Sequence, residues 1–271
     1  MKRVKYKKSY GIALCRYNKD KNWQNEILMI KKRYTYHYCS FVLGKYNKYN
    51  TKYIQYLFNN MTFHEKVDIL SLKFSNMWYR LWLFDPEKNY DISSTYNKET
   101  NFNETQLNYY ISKKYKFESI FLNDGGKRLK RMINNSENSV TPWEVPKGNK
   151  NQTNETDLDC AKREFEEETG IGSNQYIILW NVNPIIVSHE DENTIYKSIY
   201  YLAYLKKDSN WIPKIKFNTN HQLNEIEQVR WVSFNEIQFL NLCEKYKNRL
   251  KNNYKNIIYH FKNKVKSQYY L

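Results

Sequence analysis

The residues with the most chemistry in this chain are Arg163-Glu164-Phe165-Glu166-Glu167-Glu168. On a helix Glu164, Glu167 and Glu168 stand at i, i+3 and i+4, which brings three carboxylates onto one face. Like charges that close repel unless cations sit among them, and hard carboxylate oxygens are the ligands that hard divalent cations take. Something must hold that face still. Leu158, Ala161 and Phe165 at i, i+3 and i+7 form an adjacent apolar stripe on which the helix can seat itself. Asp157 and Asp159 suit its positive end, Thr153 or Asn154 is the expected cap, and Gly170 the expected stop. Upstream, Pro146-Lys147-Gly148 predicts a rigid turn followed by a residue whose missing side chain lets the backbone approach a ligand or metal.

The stretch from Trp143 to Ile171 resembles the Nudix box, G-x5-E-x7-R-E-U-x-E-E-x-G-U with U apolar. Glu155, Arg163-Glu164, Phe165, Glu167-Glu168, Gly170 and Ile171 fit it, whereas six residues rather than five separate Gly148 from Glu155. The resemblance implies hydrolysis of a phosphoanhydride, which needs charge neutralised on the phosphoryl oxygens and a water made nucleophilic. It assigns Glu164, Glu167 and Glu168 to the metal, Mg2+ or Mn2+, with Glu167 or Glu168 also accepting the proton of the attacking water. A further acid is expected ahead of a late strand, and Glu225 occupies such a place with Glu227 in reserve; Glu225 is expected to act on the metal or the water. Arg163 is expected to orient a box carboxylate such as Glu155, since its fork matches a carboxylate. Lys147 and Gly148 are candidates for the substrate phosphates, against the plainer reading of an exposed lysine. His189-Glu190-Asp191-Glu192 reads as a solvated loop between strands rather than a second metal site.

At 271 residues the chain can bury a sizeable core, as one large domain or one with an insertion. Its 26 Tyr, with only 7 Gly and 5 Pro, argue against disorder despite the richness in Asn and Lys. A formal net charge of +16 points to a polyanionic partner, although a Lys-Asn-Tyr-rich composition also arises from an A/T-rich genome. Cys15, Cys39, Cys160 and Cys243 form no C-x-x-C pair and predict a reducing compartment. No stretch has the apolar run of a signal peptide or a membrane span.

Tyr10 to Tyr17 and Glu26 to Lys31 read as early strands; Gln175 to Asn181, Pro184 to Ser188, Tyr196 to Leu205 and Ile226 to Val232 read as late ones. Between them Arg33 to Asn138 reads as mostly helical: Tyr34 to Leu43, Tyr53 to Phe58, a capping box at Thr62 and Glu65, Phe74 to Phe84, Glu104 to Phe117 and Gly126 to Ile133. Glu87 to Asn103 is an expected loop. Ser233 to Glu236 starts a helix, and a long basic helix is expected from Phe239 to Lys266. With the resemblance to the Nudix box, these elements imply an α+β fold, a Nudix α/β/α sandwich with an inserted, mainly helical domain. Residues 1–32 and 139–271 form the catalytic part, and 33–138 the insertion.

This order of parts, with Phe41 to Tyr46, Asn60-Met61-Thr62, Glu65 and Trp78 to Trp82 in the insertion, resembles the Nudix decapping enzymes of large cytoplasmic DNA viruses. The African swine fever virus and mimivirus types are nearer, the poxvirus type more distant. That resemblance implies a capped mRNA as substrate in a host cytoplasm, with methylated guanosine diphosphate and 5′-monophosphate RNA as products. Lys127, Arg128, Lys130 and Arg131 form the densest basic run and are expected to bind RNA phosphates. A rival reading is hydrolysis of inositol pyrophosphates or nucleotides, for which the insertion would be superfluous. Another is an RNA-binding protein with a vestigial site, for which intact carboxylates would be. A homodimer is compatible with either.

Overall fold

The computed structural model describes residues 5–18, 24–82, 104–191, 194–206, 225–237 and 239–240. Among them the chain divides into two compact units. One is drawn from Met1–Lys32, Pro142–Gln222 and Ile226–Leu271, the other from Arg33–Thr141 and Leu223–Glu225. The expected loop at Glu87 to Asn103 and most of the expected basic helix, including Lys245 to Lys266, lie outside the described residues.

In the first unit an eight-stranded mixed sheet is organised on β1, Lys5–Asn18. β1 runs parallel to β7, Thr194–Leu205, from Lys5 opposite Thr194 to Cys15 opposite Tyr204. Its C-terminal end pairs antiparallel with β2, Gln24–Lys32. β2 carries β3, Trp143–Glu144, and β8, Ile226–Ser233. β7 carries β5, Tyr176–Ile178, and β6, Ile185–Asp191. The two-residue β4, Lys147–Gly148, pairs with Tyr10 and Gly11 of β1. His189 to Asp191 therefore belong to β6 rather than to a loop, because their backbone continues the ladder with β7; Glu192 lies outside the described residues.

Alternation along the strands separates two cores. Ile12, Leu14, Leu28 and Ile30 face the helix α7, Asp157–Thr169 (α1 to α6 belong to the second unit), and pack with its Cys160, Ala161 and Phe165. Ala13, Ile27 and Met29 face the other way, toward Val187, Leu202, Val232 and Ile237, the last on the short helix α8, Phe234–Ile237. Phe165 is fully buried, and truncating such a ring costs about 3–5 kcal/mol. The stripe at Leu158, Ala161 and Phe165 thus seats the helix on the sheet and leaves its glutamate face to chemistry.

The second unit contains α1, Tyr36–Val42; α2, Thr51–Asn59; α3, Phe63–Ser71; α4, Phe74–Trp82; α5, Glu104–Phe121; and α6, Lys127–Asn134. Its core is aromatic: Phe41 meets Phe58, Phe121 and Phe117 with ring centroids 5.0, 5.4 and 5.9 Å away. Thr62 and Glu65 close a capping box, and the buried Glu65 carboxylate also accepts from Thr35, tying the starts of α1 and α3 together. Ser139 donates its N–H to the Met61 carbonyl at 2.9 Å, which keeps the unit's chain going past Asn138 to Thr141. Cys15, Cys39 and Cys160 form no disulfide among the described residues. Among the described residues no helix is long and apolar enough to cross a membrane.

Candidate active site

The cap of α7 is Thr156, whose side chain accepts from the Asp159 N–H at 3.1 Å, rather than Thr153 or Asn154 as expected. The cause lies in Glu155. Its carboxylate accepts from the Asn151 N–H at 2.9 Å and from Arg163, so the chain stays looped until Thr156. Asp157, in the first turn, is held by Lys150 at 2.6 Å. At the far end Gly170 adopts the left-handed conformation, φ 72°, and donates to the Glu166 carbonyl at 2.8 Å. A side chain there would be strained.

Arg163 organises one side of the carboxylate face. Its Nε donates to Glu155 at 2.8 Å, Nη1 to Glu164 at 2.8 Å and to Glu167 at 3.0 Å, and Nη2 to the Asn149 carbonyl at 2.8 Å. Hydrogen bonding from Arg163 in turn holds Glu155 below the usual carboxylate range. One planar fork thus fixes the loop ahead of the helix and two carboxylates on it.

Glu168 sits on the other side, almost fully buried. Its Oε1 accepts from Lys32 Nζ at 2.5 Å and its Oε2 from the Lys147 N–H at 2.9 Å. Burial pushes its pKa up to about 7, with Lys32 opposing the rise and Glu144 adding to it. The Lys147 ammonium is taken by Glu144. Burial alone would raise Glu144 and lower Lys147, yet their mutual attraction wins, so Glu144 lies below and Lys147 above its ordinary value. The part of Lys147 that meets the box is therefore its backbone, while its side chain is engaged in this pair.

Gly148 explains the close packing between β4 and α7. A Cβ at that position would fall 2.0 Å from the Glu164 carboxyl group, so the carboxylate lies directly over the bare backbone. Gly11, opposite Lys147, is required more strictly, because the obstacle is backbone: a Cβ there would fall 2.0 Å from the Pro146 carbonyl oxygen. Two glycines thus let the Pro146-Lys147-Gly148 turn press between sheet and helix.

The donor set fits a hard divalent cation in its chemistry, with carboxylate oxygens gathered on one helix face and one of them over an open glycine. Among the described residues no three His, Cys, Asp or Glu side chains are gathered closely enough to hold a metal as they stand. Arg163 draws Glu164 and Glu167 to itself and Lys32 draws Glu168, so the protein's own cations now take the oxygens a metal would use.

Glu225 belongs to the second unit, where its carbonyl accepts from the Arg33 N–H at 2.7 Å and its side chain is exposed. Glu227 is paired with Lys31 at 2.9 Å. The basic run lies on α6 and does not form one stripe. Arg128 and Arg131 border one concavity, Lys130 another with Lys73 and Lys114, and Lys127 is exposed. Lys32 and Glu144 had no signal in the sequence, because Lys32 comes from β2 and Glu144 is one acid in a short strand. Only the Glu144 to Lys147 spacing across Pro146 hinted at a pair.

A NUDIX domain family model matches residues 119–255. The chain is 34% identical over 242 residues to the mRNA-decapping protein g5R of African swine fever virus, isolate Pig/Kenya/KEN-50/1950, covering 88% of this chain and 89% of that protein. It is 28% identical over 228 residues, 79% of this chain and 60% of the other, to an Acanthamoeba polyphaga mimivirus protein provisionally named as mRNA-decapping. A Caenorhabditis elegans Ap4A hydrolase crystal structure aligns over 93% of this chain and 97% of its own, with 11% identity and a TM-score of 0.44. The chain belongs to the Nudix family and is a Nudix hydrolase.

Proposed function

We propose that this Nudix hydrolase removes the 5′ cap from mRNA, cleaving the phosphate bridge to give methylated guanosine diphosphate and 5′-monophosphate RNA. The observation that carries the reading is the extent of similarity to the African swine fever virus protein. At 242 residues it reaches well beyond the Nudix match at 119–255 and must include much of the helical unit. A small nucleotide substrate gives that unit no task.

Glu164, Glu167 and Glu168 would hold Mg2+ or Mn2+, which supplies charge neutralisation on the phosphoryl oxygens and acidifies a bound water. Glu168 is one candidate to accept that water's proton, both its oxygens being held in place on the carboxylate face. Glu167 is the other candidate. Arg163 orients Glu164 and Glu167 through its fork, and Lys32 with the Lys147 N–H fixes both oxygens of Glu168. Glu225 is the proposed acid from outside the box. Gly148 lets the Glu164 carboxylate lie over bare backbone beside the Lys147 and Gly148 candidates for the substrate phosphates, and the basic residues of α6 bind the RNA body. The host cytoplasm, where capped messages are abundant, is the proposed place of action.

The test compares kcat/KM for cap-labelled RNA, free cap dinucleotide, a diphosphoinositol polyphosphate and nucleoside diphosphates, each with Mg2+ and with Mn2+. Decapping predicts the highest value for capped RNA. A higher value for the inositol compound or for free nucleotides would replace this reading with the corresponding small-molecule hydrolase.

A further inference from the structure

We infer that the helical unit carries a one-nucleotide subsite for single-stranded RNA, built from Lys48 and Tyr49 on one side and the Arg128–Arg131 face of α6 on the other. The inference rests on RNA being the substrate and deepens that reading by placing the contact. The concavity has a volume of about 620 Å³ and is lined by Lys48, Tyr49, Gln55, Arg128, Arg131 and Asn135, among others, with no acidic side chain on its wall. Arg128, Arg131 and Asn135 recur at i, i+3 and i+7, so α6 and its cap present them on one side, while Leu129, Met132 and Ile133 go into the core.

Its walls are fixed by contacts within the unit. Gln55 of α2 donates to the Met132 carbonyl at 3.0 Å and to the Asn135 carbonyl at 3.4 Å, which ties α2 to the end of α6. Arg128 Nη2 reaches the Lys48 carbonyl at 3.5 Å and its guanidinium lies 5.7 Å from the Phe121 ring. Elsewhere in the same unit cations are neutralised, as Arg80 is by Asp68 at 3.0 Å and Lys114 by Glu118 at 4.0 Å. Among the described residues no ion pair joins Lys48, Arg128 or Arg131 to a carboxylate. Three cations around an acid-free hollow make a site for phosphate oxygens.

Tyr49 decides which polyanion. The residue is 81% exposed, with the Lys48 ammonium 4.9 Å from its ring centroid. A large aromatic ring left in water beside unneutralised cations is the pairing that single-stranded nucleic acids use, bases stacking while the backbone is neutralised. An acidic peptide would use the cations but not the ring. The contact is to phosphate and to a π-face that every base has, so it is independent of sequence.

The test measures binding of a labelled, uncapped single-stranded RNA by fluorescence anisotropy, with chelator present and across a salt series. Arg128→Gln with Arg131→Gln should weaken binding about tenfold or more and reduce the salt slope by about 0.7, the value for the one phosphate that the subsite neutralises. The matched Arg128→Lys with Arg131→Lys pair should retain the slope. Tyr49→Ala should weaken binding about five- to a hundredfold at an unchanged slope, with Tyr49→Phe near wild type and abasic RNA insensitive to either change. Lys127→Gln with Lys130→Gln, off the site, should lower affinity and slope by less than the arginine pair. An equal effect from both pairs would mean diffuse attraction and overturn the subsite, as would an acidic peptide that binds as tightly as RNA with indifference to Tyr49. Because no cap is cleaved in this assay, absent decapping activity leaves its outcome intact. Active decapping with unaltered RNA binding in these variants would refute the subsite alone.

Discussion

Lys32 and Glu168 stand 136 residues apart in sequence and meet at 2.5 Å, joining the end of β2 to the last turn of α7. Glu168 is nearly buried and Lys32 only partly so, which makes the ammonium the outer partner of an acid that cannot readily turn to water. Lys32→Met should therefore destabilise the protein by roughly 1–3 kcal/mol, the cost of leaving a buried acceptor without its partner. Glu168→Gln added to it should restore part of that loss. Urea unfolding of the two single variants and the double variant checks this, and strict additivity would mean that the contact carries no coupling.

The same burial gives stability a pH dependence in metal-free protein. Folded Glu168 titrates at about 7 against 4.5 as its ordinary value, so between those values the folded state holds a proton that the unfolded chain has released. Stability from this group is fully present below about 4.5 and is lost as pH rises through about 7. Melting temperatures of wild type and Glu168→Gln in chelator should thus move apart: the wild type loses ground to the variant as pH rises across that window. A difference that stays constant with pH would place the Glu168 pKa near its ordinary value.

The helix that carries the site was legible because three signals agreed there. Its glutamates, its apolar stripe at Leu158, Ala161 and Phe165 and its terminal Gly170 all follow from local spacing. What was not legible depended on long-range pairing. Lys32 and Glu144 surround Glu168 because the sheet brings them there, and no local pattern marks a lysine at the end of a strand. The helix cap was misplaced because Glu155 is drawn to Arg163, a contact made only once the helix has formed. The charge of the run at Lys127 to Arg131 was legible, but not that Arg128 and Arg131 border one concavity and Lys130 another, nor that Lys48 and Tyr49 join the first from about 80 residues upstream, since only the fold brings them there.

The two glycines of the turn should behave differently when a methyl group is added. In Gly148→Ala the obstacle is the Glu164 carboxyl, the end of a flexible side chain, so the fold should survive while Glu164 is displaced from Arg163. We expect a melting temperature close to wild type with hydrolysis lowered at least about tenfold, about 1.4 kcal/mol of transition-state stabilisation. In Gly11→Ala the obstacle is the Pro146 backbone, and overpacking there should cost about 1–3 kcal/mol of stability. Thermal melts with hydrolysis rates separate the two cases. Equal loss of stability in both would show that Glu164 cannot yield.

The most direct test is cap release from capped RNA by wild type, Glu167→Gln and Glu168→Gln, each titrated with Mg2+ or Mn2+, with RNA affinity measured alongside. Hydrolysis at the carboxylate face of α7 predicts metal-dependent methylated guanosine diphosphate from wild type. It also predicts a loss of most of that rate in both variants at saturating metal, with folding and RNA affinity retained. Near wild-type rates in both variants, or release that does not depend on a divalent cation, would contradict it.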